Sequence, residues 1–198
     1  MTLLDDLHAA GFDVDRVAQL RDLGSRYKEA VPIVASWLTR LEDSAEADEA
    51  VRTLASSWAK PAYGALVDAL LLYTERARSD APDAVKWKQT AWAAGNSLEV
   101  VWNDSRFDEL ARFVQDPANG VARKMVVSGM KKSKRPEAGE IATDLLDDEQ
   151  VVLHALSVLG KHPTERARPA LERLLDVPVQ RVRARKVLAR LDEKKGKV

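Results

Sequence analysis

Apolar residues recur at spacings of three and four along the chain, as in Leu66, Leu70 and Tyr73 and again in Ala155, Leu156 and Leu159. That spacing puts them on one side of a helix, and no stretch sustains the strict alternation of a half-buried strand. The pattern predicts an all-α protein. Breaks are expected at Asp80-Ala81-Pro82, Asn103-Asp104-Ser105, Asp116-Pro117, Arg135-Pro136, His162-Pro163-Thr164 and Asp176-Val177-Pro178. Each of these joins a capping side chain or a proline that cannot continue a helix.

The helical pattern also repeats. Aligning Asp116, Asp147 and Asp176 stacks LARFVQD, IATDLLD and ALERLLD, with Val114, Leu145 and Leu174 in one column. The segments that follow superimpose as well: Ala122 with Val152 and Ala184, Met125 with Ala155 and Val187, Val126 with Leu156 and Leu188, Gly129 with Leu159 and Leu191. These columns stand at i, i+3, i+4 and i+7, so each second helix buries one stripe. The phrase AVPIVASWL at residues 30–38 anticipates ARPALERLL at 167–175, which assigns Trp37 to a core column.

Two-helix units of about 30 residues, with a proline early in the first helix and an aspartate at the turn, resemble HEAT repeats, especially the short bacterial kind. The stretches RYKEAVPIV, VKWKQTAWAAGNSL and ALSVLGK are similar to segments of actinobacterial HEAT-repeat proteins. The resemblance implies one right-handed α-solenoid domain over residues 1–198, a helical cap at 1–25 and about five repeats, at 26–58, 59–103, 104–133, 134–162 and 163–195. The family often opens its second helix with Val-Arg, the arginine meeting the turn aspartate. Only Val182-Arg183 keeps that pair here, so no ladder of such contacts between repeats is expected.

Charge adds a second layer to this picture. The net charge is +0, yet residues 1–104 hold 11 Lys+Arg against 17 Asp+Glu and residues 105–198 hold 20 against 14. A basic stripe is expected on the second helices, because Lys124, His154 and Lys186 share a column and Lys131 and Lys161 follow seven residues later. RKMVVSGMKKSKR at 123–135 has six basic residues and no acid, and 181–198 has eight basic and two acidic. Such a stripe attracts an acidic protein segment or a phosphate backbone, and Arg183, Arg185 and Arg190 could grip either in forked fashion. All five tryptophans lie in the acidic half; Trp87 and Trp92 are five apart and cannot share a face, so one of them is expected to serve as an apolar anchor for a partner.

Catalytic chemistry finds little foothold. There is no cysteine, and the three histidines show no i, i+4 pair, so neither a metal site nor a cofactor is expected. Alkylpurine DNA glycosylases share HEAT-like repeats; the nearest residues here to their tryptophans and catalytic aspartate are Trp87, Trp92, Trp102 and Asp104. That resemblance carries the alternative of a nucleic-acid-binding enzyme. Asp5 and Asp6 stand where a signal peptide has basic residues, and no apolar run reaches the roughly 20 residues that span a bilayer. The expectation is a monomeric, cytoplasmic, noncatalytic scaffold whose acidic partner docks through Lys124, Lys131, His154, Lys161, Arg183 and Lys186, with Trp87 or Trp92 as anchor.

Overall fold

A computed structural model describes residues 1–195, with side chains to residue 193, and among them shows eleven α-helices, five 3-10 segments and no strand. Each of the six expected breaks falls between consecutive α-helices. The chain divides into two compact units, Met1–Arg106 and Phe107–Val198.

The first unit contains α1 (Leu3–Ala9), α2 (Tyr27–Trp37), α3 (Ser44–Thr53), α4 (Tyr63–Arg78) and α5 (Ala84–Val101), with 3-10 segments at Val17–Arg26 and Ser57–Ala62. Thr2 starts α1 through a capping box: its hydroxyl accepts from the Asp5 amide at 3.2 Å, and the Asp5 carboxylate accepts from the Thr2 amide at 2.7 Å. Asp43 caps α3, accepting the Ala45 and Glu46 amides at 2.9 and 2.8 Å. The closest association is between α4 and α5, whose Leu66, Leu70, Tyr73, Ala94 and Leu98 are fully buried. Each leucine so buried contributes about 2 kcal/mol relative to exposure. Helix α3 packs on α5, where two polar side chains are used up: Thr90 donates to the Ser44 carbonyl at 3.1 Å and Ser97 to the Val51 carbonyl at 2.7 Å.

The second unit contains α6 (Phe107–Gln115), α7 (Arg123–Met130), α8 (Glu137–Asp144), α9 (Val152–Leu159), α10 (Arg168–Arg173) and α11 (Pro178–Lys195). Helix α6 packs on α7, α8 on α9 and α10 on α11; α7 also packs on α9, and α9 on α11. The repeat columns are the reason. Ala122, Val152 and Ala184 are buried, as are Ala155, Val187, Gly129, Leu159 and Leu191, so each pair meets the next through the same stripe. Ion pairs link successive pairs of helices: Arg135 with Asp108 at 3.3 Å, Arg166 with Glu140 at 2.6 Å and Asp144 at 2.7 Å, and Arg173 with Asp147 at 3.0 Å.

Two sequence expectations change here. Asp147, aligned with the turn residue Asp116, is exposed and pairs with Arg173; the turn belongs to Asp148, which accepts the Gln150 amide at 2.9 Å just as Asp116 accepts that of Ala118 at 2.9 Å. The arginine that meets a turn aspartate is also a different one. Arg123, only 1% exposed, reaches Asp148 at 2.7 Å and donates to the Val114 and Gly120 carbonyls at 3.2 and 3.3 Å. Arg183 is exposed and has no ion pair among the described residues. Its register explains the difference: the buried Ala184 sits in the column of Ala122, so the position equivalent to Arg123 is Arg185.

Candidate functional site

Helices α9 and α11 meet through Ala155, Leu156, Val187 and Leu191. Beside that contact an open cleft of about 280 Å³ has an apolar floor of Leu156 and Val187 and four cations around it: Lys161, Arg183, Lys186 and Arg190. Helical spacing accounts for the grouping. On α11 the positions 183, 186 and 190 follow i, i+3 and i+7, one stripe along the edge nearest α9. Gly160, just past the end of α9, lies against the cleft, and a Cβ added to it would meet the Ser157 carbonyl oxygen at 3.2 Å and stand 3.9 Å from an Arg190 guanidinium nitrogen.

No carboxylate lines the cleft, and none of the four cations has an ion pair among the described residues. Four acids of this unit are committed to other arginines, while Glu193 follows Arg190 by three residues on α11 and is exposed. Asp192 and Glu165 both hold Arg168, at 2.9 Å each, while Glu140 and Asp144 hold Arg166. Those bonds pull the Glu140 carboxyl below its usual range, the Thr164 hydroxyl bond contributing most and the Arg166 bond next. Positive charge is thereby left over around one apolar hollow, an arrangement that draws in anions and gains from partial desolvation once they arrive.

The structure thus brings together Lys161, Arg183 and Lys186 of the expected stripe and adds Arg190. Lys124, Lys131 and His154 are half-buried and lie outside the lining of the cleft. Lys131 donates to the Ser128 hydroxyl at 3.4 Å. The run 123–135 is less free than its composition promised: Arg123 is internal, and Arg135 is held by Asp108 and Glu137 and lies over the Phe107 ring at 5.0 Å.

The tryptophans belong to the first unit and are mostly structural. Trp87, expected as an anchor, is 3% exposed; it lies 5.0 Å from the Tyr73 ring, beneath Arg76, and its indole N–H donates to Asp83 at 2.8 Å. Trp92 is half-buried with Arg52 over its ring. Trp37 is in the core as its column required, donating to Asp6 at 2.7 Å. The exposed ring is that of Trp58, at 41%, with Lys28 above it at 4.7 Å. Nothing in the local sequence pattern around Trp58 marks it as the exposed one.

Asp104, His8 and His162 each have a hydrogen-bond partner within the fold. Asp104, the aspartate singled out by the glycosylase resemblance, accepts the Trp102 indole N–H at 3.1 Å in the turn after α5, and Trp102 itself is 9% exposed. His8 bonds the Val14 carbonyl at 2.8 Å and His162 the Lys131 carbonyl at 3.4 Å. A second hollow, about 230 Å³ between α3 and α5, is lined by Ser44, Asp48, Lys86 and Thr90; there Arg52 reaches the Asp48 Oδ2 at 2.6 Å while the Asp48 Oδ1 is buried without a hydrogen bond among the described residues, and Thr90 donates to the Ser44 carbonyl. No helix of the described residues is long and apolar enough to cross a membrane. The chain matches no protein-family model, no curated protein and no solved structure.

Proposed function

We propose that the second unit is a short solenoid of HEAT-like helix pairs that acts without catalysis, binding an acidic protein segment over Lys161, Arg183, Lys186 and Arg190. The same proposal reads the helices of the first unit as the two amino-terminal repeats and their cap. One observation carries the binding role: four cations without ion pairs among the described residues surround a cleft whose described lining contains no acid. A solvated face that merely keeps a protein soluble mixes charges of both signs, as α10 does here with Arg168, Glu172 and Arg173. Leu156 and Val187 at its base are each 1% exposed, so the cleft offers its cations, and the duplex comparison below separates an acidic protein segment from a phosphate backbone.

Fluorescence anisotropy with a labelled synthetic peptide rich in Glu and Leu tests this reading. The wild-type protein is expected to bind it, and binding should weaken as salt rises toward about 0.5 M. In the Lys161→Glu, Arg183→Glu, Lys186→Glu triple variant, three exposed attractions become repulsions, an expected loss of about 100-fold in affinity. All three side chains are exposed, so the circular dichroism spectrum and melting temperature should hold. Equal affinity in the triple variant rejects the site. Tighter binding of a duplex oligonucleotide than of the peptide would transfer the cleft to nucleic acid.

A further inference from the structure

Helix α11 is apolar on two opposite sides. Ala184, Val187 and Leu191 are buried against α9 and α10. Half a turn away Val179 is 71% and Val182 62% exposed, and at 100° per residue Lys186 and Ala189 continue the same line, which reaches the acid Glu193 one turn further on. The series 179, 182, 186, 189 is spaced i, i+3, i+7, i+10, the spacing of a seam where two helices pack along their length. Arg183 and Arg190, seven apart, border it on one edge, and Arg185 borders it on the other. None of these arginines, nor Lys186, has an ion pair among the described residues.

The flanking charge selects the occupant. A second copy of α11 laid on this face would set Arg183, Arg185, Lys186 and Arg190 against their own kind, a like-charge juxtaposition that works against pairing. An extended peptide gains little from it, since the backbone of α11 is satisfied internally and offers no edge of amides and carbonyls to pair with. A helix supplies its own backbone hydrogen bonds and needs only side-chain complementarity.

We propose that an acidic amphipathic helix docks lengthwise on the outer face of α11, small apolar side chains against Val179, Val182 and Ala189 and carboxylates against Arg183, Lys186 and Arg190. The seam from 179 to 189 runs about 15 Å, roughly three turns of such a helix. This rests on the acidic-partner reading of the adjoining cleft, because Arg183, Lys186 and Arg190 serve both surfaces.

The test uses two labelled peptides of one composition: a heptad-patterned helix former with Ala and Leu on its seam and Glu on its flanks, and a shuffled version with prolines at two central positions. Against the full-length protein the helix former is expected to bind at least about ten-fold more tightly than the proline peptide, which cannot present a continuous stripe. Far-ultraviolet circular dichroism should show added helix in the complex. The Val179→Ser, Val182→Ser variant, altered only at exposed positions outside the cleft lining, should weaken the helix former about ten-fold and leave the proline peptide unaffected. Equal binding of both peptides, with the serine variant silent, overturns the helix seam while the acidic-partner reading survives. Binding of neither peptide overturns both. A concentration-dependent dimer of the free protein in sedimentation, abolished by the serine substitutions, would place a second copy on this face and overturn the proposal.

Discussion

Converting Asp148 to asparagine is expected to destabilise the second unit by about 3 kcal/mol, read as a fall in the urea midpoint at unchanged slope. The cost follows from where the partner lies. The Arg123 guanidinium is 1% exposed, so removing the carboxylate at 2.7 Å leaves a cation that can neither reach water nor lose its proton. Asparagine keeps an oxygen for the Gln150 amide, which separates loss of charge from loss of the turn. Arg123→Met should cost less, about 2 kcal/mol, because Asp148 is 24% exposed and can be hydrated once abandoned; the Val114 carbonyl then loses the guanidinium donor, while the Gly120 carbonyl keeps the backbone N–H of residue 123. The double variant should fall short of the sum of the two, since both remove one interaction. Additive losses, or a harmless Asp148→Asn, would show that the pair does not hold α7 to the turn before α9.

The same pair sets an acid limit. Burial works against ionisation of Asp148, but the Arg123 hydrogen bond and the Gln150 and Val151 amides outweigh it, so its carboxyl titrates below the usual value. A depressed folded-state value means the stabilisation is complete above the unfolded value of about 4 and is lost as pH falls through that value toward the folded one. Wild type should therefore lose more stability than Arg123→Met between about pH 5 and pH 2, and parallel pH curves would contradict this.

Gly139→Ala is the second large effect. In a helix interior this exchange ordinarily helps by about 1 kcal/mol. At residue 139 the sign should reverse, because the new Cβ would lie 2.5 Å from the backbone carbonyl oxygen of His162 and 3.3 Å from its Cβ. The obstacle is main chain, anchored by Pro163, so it cannot swing aside as a side-chain tip would. Overpacking of this kind costs about 1–3 kcal/mol, and here α8 must shift away from the loop after α9. Gly64→Ala serves as the control: it lies in α4 with nothing within 4 Å of its added Cβ, and should stabilise by about 0.5 kcal/mol. If both substitutions stabilise, α8 does not approach that loop so closely.

Much of the packing could be read from the chain. The columns through Ala122, Val152 and Ala184 and through Gly129, Leu159 and Leu191 are buried throughout, because helical spacing alone fixes which side chains share a face. The six proline or capping breaks all fall between helices for an equally local reason. Gly139 was different. Its role depends on a carbonyl 23 positions away in the chain, and no local pattern announces such an approach.

The candidate site was legible in part. Lys161, Arg183, Lys186 and Arg190 were expected on one basic surface and do line one cleft, whereas Arg185, expected with them, lies outside its lining. Trp87 was misjudged because a five-residue offset from Trp92 says that two rings diverge but not which one finds a core; Tyr73 and Asp83 decided that. The run of six cations at 123–135 likewise hid one internal arginine among surface lysines.

The sequence by itself determined the helices, their breaks and the apolar stripe of each, since these depend on neighbours within a turn or two. Tertiary structure alone decided which charges remained to act on another molecule. An arginine is spent or available according to whether an acid from another element reaches it, as Asp148 reaches Arg123 and Asp192 reaches Arg168, but none among the described residues reaches Arg183, Lys186 or Arg190. Coulomb attraction at a few ångströms follows distance in space, and separation along the chain does not report it.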